Sequence, residues 1–169
     1  MDEHEIEDLI FQKCVSLIMG RPHSIHEMML YIPKKLKHFE GTIRNIDEAS
    51  ARIIERLIER EYLDDLKFIE WWVDNRTYFR PRGVRGLMSE LMQKGVDKNL
   101  LEEFFANNPV EEVELATRIL IKKAKVLAEL DIPTRKKKAT DLLLRKGFPY
   151  SVIQVALEHL ENLLYNTTN

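Results

Sequence analysis

With 169 residues, of which 44% are hydrophobic and 32% charged, the chain is too apolar to be disordered and suits one domain or a short array of small units. No apolar run approaches the roughly 20 residues of a membrane span, and the acidic start, MDEHEIEDLIF, differs from a signal or transit peptide. The net charge of −2 favours no class of partner by itself, whereas the single cysteine, Cys14, excludes an internal disulfide. A cytoplasmic protein without a membrane partner is expected.

Helical periodicity dominates the chain from its start. Ile6, Ile10 and Cys14 recur at four-residue steps, as on one face of an amphipathic helix. No Asn-Gly or Asp-Gly turn separates alternating runs, so β-hairpins are not indicated. The sequence therefore predicts an all-α fold. Its periodic segments place helices at about 5–19, 24–38, 46–61, 64–79, 100–105, 110–130 and 152–161, with a further helix directly before each Lys-Gly turn.

Capping and turn residues mark the ends of these helices. Ser24 followed by Glu27 fits a capping box at a helix start. Gly95 and Gly147 each follow an apolar helical run, where a left-handed residue commonly ends a helix. Three prolines fall at further predicted boundaries, namely Pro81, Pro109 and Pro133.

Two segments of the sequence share one pattern, which we call a Lys-Gly corner. QKGVDKNLLEEFF begins at Gln93 and RKGFPYSVIQVAL begins at Arg145, so a helix, a Lys-Gly turn and a second helix recur, each preceded by a further helix. A unit of about 50 residues buries its apolar faces poorly alone, and stacking of neighbouring units extends the core. We therefore expect three tandem three-helix repeats, at 1–61, 62–108 and 109–169, in an elongated, curved array.

Basic residues are segregated along the chain. Residues 76–98 hold six basic residues against two acidic ones, and residues 118–147 hold ten against three. A solvated face is the usual origin of such runs. Because RPRGVR and PTRKKK place the same charge at the start of the middle helix in two repeats, we predict a basic stripe that suits phosphates or an acidic protein surface. Its predicted partner-binding residues are Arg76, Arg80, Arg82, Arg85, Lys122, Lys123, Arg135, Lys136, Lys137, Lys138, Arg145 and Lys146.

Signals of catalysis are poor. His23, His26 and Glu27 lie close together at a helix start, but no fourth ligand and no metalloprotease motif accompanies them. Neither a phosphate-binding loop nor a nucleophile elbow is present. We expect no catalytic residues, no metal or other cofactor, and no small-molecule substrate.

Two adjacent tryptophans, Trp71 and Trp72, cannot share one face of a helix. With Trp72 facing the core, Trp71 is predicted to be a half-buried bridge between repeats. The alternative is an exposed aromatic side chain that binds a partner.

Three segments, in order, resemble the signature segments of the RecX family, the bacterial regulators of the RecA recombinase. They read YLDDLKFIEWWVDNR, RPRGVRGLMSELMQKGVDKNLLEEFF and TRKKKATDLLLRKGFPYSVIQVALEHL, within roughly residues 52–161. The resemblance implies three tandem three-helix repeats and a regulator of DNA repair and recombination that is not an enzyme. Such a protein binds the RecA filament on single-stranded DNA and inhibits its ATPase, strand-exchange and coprotease activities, with any direct contact to DNA being weak.

The first repeat departs from the pattern of this family. Its passage between the second and third helices is longer than usual, and KHFEGTIRN takes the place of the Lys-Gly corner. Pro33 is expected to interrupt the middle helix, because proline removes a backbone hydrogen bond and clashes with the preceding turn.

Two other functions are compatible with the sequence. A helix-turn-helix DNA-binding protein, such as a transcription regulator, would read bases with the third helix of a unit. Those helices, at 100–105 and 152–161, are apolar and acidic where Arg, Asn or Gln would be needed. A helical scaffold with no connection to DNA would show no salt-sensitive binding to a filament.

Overall fold

The computed structural model describes residues 1–168, and helices are the one kind of regular secondary structure in this part of the chain, without a β-strand. The predicted all-α fold is therefore confirmed. A short 3-10 turn, Lys37–Phe39, follows the second helix. The ten α-helices within residues 1–168 are α1 (Glu3–Gly20), α2 (Ile25–Leu36), α3 (Ile46–Glu59), α4 (Asp65–Phe79), α5 (Val84–Gln93), α6 (Lys98–Asn107), α7 (Glu112–Lys122), α8 (Ala124–Ala128), α9 (Ile132–Arg145) and α10 (Tyr150–Thr168).

The helices form two compact units. The first unit comprises Met1–Trp71 and Leu91–Leu100, and the second comprises Trp72–Glu90 and the chain from Leu101 onward. Helices α4, α5 and α6 therefore each contribute residues to both units. In the first unit, α1, α2 and α3 bury an apolar cluster that includes Ile6, Ile10, Cys14, Ile32, Leu36, Ile53 and Leu57. In the second unit, α7, α9 and α10 bury another, which includes Leu115, Leu120, Ala139, Leu143, Ile153, Ala156 and Leu160.

The Tyr-Leu-Asp-Asp segment fixes two helix starts in the first unit. Leu63 is buried, and Asp64 accepts a hydrogen bond from the Leu66 N–H at 2.8 Å, which caps α4. Asp65 accepts from the Ile25 N–H at 2.9 Å, at the start of α2. Burial raises the pKa of Asp65. Each carboxylate thus satisfies a backbone donor that has no partner inside its own helix.

The predicted capping box at the start of α2 is confirmed. Ser24 Oγ accepts a hydrogen bond from the Glu27 N–H, and the Ser24 N–H donates to the Glu27 carboxylate, each at 3.1 Å. The same carboxylate accepts from Arg21 Nη2 and Lys94 Nζ, also at 3.1 Å. Burial raises the pKa of Glu27, but these hydrogen bonds outweigh burial and bring the pKa to about 2.

Glu27→Gln is expected to lower the free energy of unfolding by about 2 kcal/mol at neutral pH, because the amide loses charge-assisted bonds to Arg21 and Lys94. The folded pKa lies below the unfolded value of 4.5. The stabilisation is therefore fully present above the unfolded pKa and disappears as the pH falls through the folded pKa, where wild type and variant should converge. Urea denaturation followed by circular dichroism across this range measures the difference.

Glu5→Gln is the matched control for this experiment. Glu5 occupies the same place in the capping box that Asp2 forms at the start of α1, but its side chain is 62% exposed. Glu5→Gln is expected to lower the free energy of unfolding by less than about 0.5 kcal/mol. Equal losses for the two variants, or a Glu27→Gln loss that does not change with pH, would contradict an origin in the ion pairs.

The two Lys-Gly corners share one pattern of backbone hydrogen bonds. In both, the glycine N–H donates to the carbonyl three residues back at 2.9 Å. The next N–H donates to the carbonyl five residues back, at 3.1 Å for Val96 and 3.2 Å for Phe148. This Schellman arrangement requires a left-handed residue, and φ is +78° at Gly95 and +84° at Gly147. The prediction of two equivalent glycine turns is confirmed.

Each corner also receives the start of another helix. In the first unit, Ser24 Oγ donates to the Lys94 carbonyl at 2.7 Å. In the second unit, the Gly83 N–H donates to the Lys146 carbonyl at 3.0 Å. Ser24 and Gly83 directly precede α2 and α5, so the same corner carbonyl binds the residue before a middle helix in both units.

The helix predicted at 110–130 is broken, so this prediction is wrong in its length. α7 ends at Lys122 and α8 begins at Ala124. A continuous helix would place Lys123 on the stripe that carries Ala116, Leu120 and Leu127, all of which are buried. Because burial of an unpaired ammonium is costly, the chain breaks and Lys123 is exposed.

Pro33 lies inside α2, so the expected interruption of this helix is also wrong. α2 continues from Pro33 to Leu36, whose side chain is fully buried. The carbonyl that lacks the proline N–H is that of Met29, which is 53% exposed, so water can satisfy it. The 3-10 turn Lys37–Phe39 then replaces the Lys-Gly corner.

No helix within residues 1–168 combines the length and the apolar character that crossing a membrane requires. Cys14 is fully buried in the first unit. Burial raises the pKa of its thiol to about 11, so the unreactive protonated form dominates at neutral pH.

Candidate partner-binding site

Seven basic side chains surround a cavity of about 410 Å³ in the second unit. Glu90 supplies the one carboxylate among the described residues that line it. The lining, which defines the basic pocket, consists of Arg76, Phe79, Arg80, Pro81, Arg82, Glu90, Arg118, Ile119, Lys122, Lys123 and Lys146. The pocket thus brings together six of the twelve predicted partner-binding residues.

Three separate parts of the chain build the basic pocket. The link between α4 and α5 supplies Arg80 and Arg82, with the buried Pro81 between them. The last turns of α7 supply Arg118, and the corner after α9 supplies Lys146. The hydrogen bond from the Gly83 N–H to the Lys146 carbonyl holds the first and third parts together, so the pocket depends on the corner.

Glu90 organises the guanidinium groups on one wall of the pocket. Its carboxylate accepts hydrogen bonds from Trp72 Nε1 at 2.9 Å and from Arg76 Nε at 2.8 Å. Arg82 Nε lies 2.7 Å from its second oxygen. The Arg76 guanidinium also lies 4.7 Å from the Trp72 ring centroid, a cation–π distance. One carboxylate compensates two guanidinium groups, and the other basic side chains of the pocket form no ion pair with any of residues 1–168.

Positive charge is in excess inside the basic pocket, and this excess affects two of its side chains. Burial lowers the pKa of Lys146, and the charges of Arg82 and Lys123 lower it further. Arg118 Nη2 donates to the Thr77 carbonyl, whereas Arg118 Nε is buried without a hydrogen-bond partner among the described residues. An anion would relieve the repulsion between these cations, so the pocket suits an oxyanion such as a phosphate or a carboxylate.

The remaining predicted residues are distributed differently. Lys138 and Arg145 line a second cavity of the same unit. Arg85, Lys136 and Lys137 are exposed and line neither cavity. The second unit thus presents accessible basic side chains in more than one place.

Arg135 is nearly buried and pairs with an acidic side chain. It is only 9% exposed, and its Nε and Nη2 donate to the two oxygens of Glu161, both at 2.8 Å. Its Nη1 donates to the Leu130 carbonyl at 3.2 Å. Arg135 shares the buried face of α9 with Ala139 and Leu143, which follow at four-residue steps. Its guanidinium therefore serves the interior of the second unit.

Among the seven basic residues that line the basic pocket, Arg118 is the one that the predicted set lacks. It lies on α7, four residues before Lys122, and both line the pocket. This spacing is a helical signal that could have placed them on one face. The proximity of Arg118 to Arg80 has no such signal in the sequence, because it depends on packing between distant segments.

The aromatic side chains divide into buried and exposed groups. Trp71 and Trp72 are both half-buried, and the Trp71 ring lies 6.0 Å from that of Phe68. The predicted half-burial of Trp71 is thus confirmed. Tyr78 and Phe79, at the end of α4, are 74% and 67% exposed. Their rings make an edge-to-face contact, with ring centroids 4.7 Å apart. Phe79 lines the basic pocket and is the better candidate for contact with a partner.

Within residues 1–168, no group of three or more His, Cys, Asp or Glu side chains is arranged to hold a metal ion. The carboxylate of Glu27 is engaged by Arg21 and Lys94. His23 Nδ1 lies 2.8 Å from the Arg21 carbonyl, within hydrogen-bond distance. His23 and Glu27 thus belong to a hydrogen-bond network at the start of α2.

Comparison with known proteins finds similar sequences. Residues 110–157 match a family model described as the third three-helix domain of RecX. Regulatory protein RecX of Prosthecochloris aestuarii is 33% identical over 116 residues, which are 68% of this chain and 74% of that protein. Regulatory protein RecX of Lactobacillus johnsonii is 27% identical over 158 residues, which are 93% of this chain and 55% of that protein.

Solved structures agree with these matches in fold. The crystal structure of RecX from Lactobacillus salivarius superposes with a TM-score of 0.73 at 19% identity, covering 94% of this chain and 98% of that chain. A similarity at this level of identity concerns the fold alone. The chain spans only 50–60% of the length of its relatives from Lactobacillus johnsonii, Leuconostoc mesenteroides and Bacillus cytotoxicus.

Proposed function

The chain belongs to the RecX family of regulatory proteins, and on this premise we propose that it binds the RecA filament on single-stranded DNA and inhibits its activities. It acts in the cytoplasm, by occupying the filament and not by catalysis. The observation that carries the proposal is the basic pocket, with seven basic side chains and one carboxylate. This charge suits the phosphates and carboxylates that a nucleoprotein filament presents.

Two further features support contact with such a filament. Tyr78 and Phe79 are exposed beside the basic pocket, and exposed aromatic rings next to cations favour single-stranded nucleic acid. Recognition of bases in duplex DNA has less support, because α10 contains no Lys or Arg and the one basic residue of α6 is Lys98. The surface favours recognition of charge and shape over recognition of a base sequence.

The test is co-sedimentation with RecA filaments assembled on single-stranded DNA, with the bare strand as a parallel sample. We expect the chain to sediment with the filament more strongly than with the bare strand, and to lower ATP hydrolysis by RecA. Arg80→Glu combined with Lys146→Gln should weaken filament binding by about tenfold or more, because both side chains line the pocket. The remaining binding should weaken further as salt is added.

Lys125→Glu is the control for Arg80→Glu alone, which should already weaken filament binding. Lys125 is exposed, lies just after the α7–α8 break, and lines neither the basic pocket nor the second cavity. Its reversal should change filament binding by less than about threefold. Equal effects of Arg80→Glu and Lys125→Glu would show that the basic pocket does not bind the filament. Stronger sedimentation with bare DNA, or selection of one duplex sequence, would support the helix-turn-helix alternative instead.

A further inference from the structure

A groove in the second unit has an apolar floor. It lies between α8 and the second half of α9 and has a volume of about 860 Å³, within the range of about 300–1,000 Å³ typical of binding clefts. Its floor, which defines the apolar groove, consists of Val126, Leu127, Leu130, Leu142 and Leu144.

Residues on both sides of the break at Lys123 line one edge of this groove. α8 turns Leu127 into the core, where it is only 6% exposed, and leaves its neighbour Val126 67% exposed. Across the groove, Leu144 of α9 is 49% exposed. Exposed apolar side chains that line one cleft, with a polar rim around them, are typical of a protein-interaction site.

The rim of the apolar groove is basic. Lys122 and Lys123 lie at one edge, and Lys138 and Arg145 of α9 lie at the other, against the single acidic lining residue Asp141. Among residues 1–168, the three lysines form no ion pair. Their charges are therefore available to a partner that carries carboxylates.

We propose that the apolar groove binds an acidic amphipathic helix of a partner protein. Apolar side chains at positions i, i+3, i+4 and i+7 of such a helix would fill the floor, while its carboxylates would pair with the rim. The basic rim selects an acidic segment. The apolar floor favours a protein over nucleic acid, because phosphates gain nothing from contact with Val126 and Leu144. This inference does not depend on binding to RecA.

The experiment uses the full chain and a fluorescent synthetic peptide of about 14 residues, with leucine at the four anchor positions and mostly glutamate elsewhere. Two counterparts serve as controls: one replaces glutamate by lysine, and the other replaces leucine by serine. Anisotropy titrations should show that the acidic leucine peptide binds at least about tenfold more tightly than either counterpart.

Paired variants locate the binding. Val126→Ser should weaken binding of the acidic peptide by about tenfold, whereas Ile121→Ser, at a residue 49% exposed outside the groove, should change it by less than about twofold. Likewise, Lys138→Glu should weaken binding by about tenfold, whereas Lys137→Glu, next to it but outside the groove, should change it by less than about threefold. Because all four residues are exposed, their circular dichroism should remain that of wild type.

Several outcomes would overturn the proposal. One is equal binding of the acidic and lysine peptides, or no binding of either. Another is binding of the acidic peptide that Val126→Ser leaves unchanged, which would place the peptide elsewhere. A third is an oligothymidylate that displaces the peptide and responds to Lys138→Glu but not to Val126→Ser. That result would show a phosphate-binding surface.

Discussion

Gly147→Ala is expected to lower the free energy of unfolding by about 4 kcal/mol. A side chain at φ +84° costs about 1–2 kcal/mol, because the left-handed region crowds Cβ. The new Cβ would also lie 2.2 Å from the backbone nitrogen of Gly86, so α5 or the corner must shift, at a further cost of about 1–3 kcal/mol. Urea denaturation followed by circular dichroism measures the total.

Two other glycines provide the controls for this prediction. Gly95→Ala meets the same φ penalty, and its new Cβ would lie 2.2 Å from His26 Cγ and 2.3 Å from His26 Cβ, so the start of α2 must shift and about 2–4 kcal/mol is expected. Gly20→Ala, at the last turn of α1 with open space around it, should stabilise by about 0.5 kcal/mol. A loss below about 1 kcal/mol for Gly147→Ala, or a loss for Gly20→Ala as large as that for Gly147→Ala, would disprove the close approach at the second corner.

Arg135→Ala is expected to lower the free energy of unfolding by about 3 kcal/mol. Removal of one partner from a buried ion pair costs about 3–5 kcal/mol, and the lower end applies because the Glu161 side chain remains 28% exposed. The hydrogen bond from Arg135 lowers the pKa of Glu161. The pair therefore stabilises the fold fully above the unfolded pKa of Glu161 and loses this effect as the pH falls through the folded pKa. Urea midpoints at neutral and acidic pH test both statements.

A double-mutant cycle separates the ion pair from general effects at these positions. Arg135→Ala and Glu161→Ala should show a coupling energy of about 2 kcal/mol, because the two side chains bond directly. Lys137→Ala, two residues along α9 and exposed, should change stability by less than about 0.5 kcal/mol. A coupling near zero would mean that solvent screens the pair and that Arg135 is free to serve a partner.

These stability predictions affect how binding experiments are read. A charge reversal at Arg135 would weaken binding to any partner by destabilising the second unit, even if Arg135 never touches that partner. Reversals at Arg80 or Lys138 change exposed charges and leave the buried ion pair intact. Binding should therefore be measured well below the unfolding temperature of each variant, and the site should be located with variants of exposed residues.

Helices, caps and corners could be predicted from the sequence because each depends on residues close together in the chain. The capping box of Ser24 and Glu27 involves one turn of helix. The Schellman corners at Gly95 and Gly147 involve six residues and a positive φ that glycine accepts. Local hydrogen bonds and apolar periodicity therefore determined the all-α fold, and the family signature followed the same segments.

The repeat in sequence concealed a difference that only packing revealed. By the register of the two corners, Gly83 and Gly86 correspond to Arg135 and Lys138. The two glycines let the start of α5 approach the corner after α9. At the equivalent place, α9 begins earlier, at Ile132, and Arg135 turns inward to Glu161. Similar basic segments therefore have different roles.

The sequence by itself determined the helices, the corners and the local excess of basic residues. Only the tertiary structure decided which of those residues converge: Arg80, Arg118 and Lys146 come from three distant segments and line one pocket. It also decided the break at Lys123, beside which the apolar groove lies. The physical reason is that periodicity and capping act within a few residues, whereas the exposure and pairing of a charge depend on whatever packs against it from elsewhere in the chain.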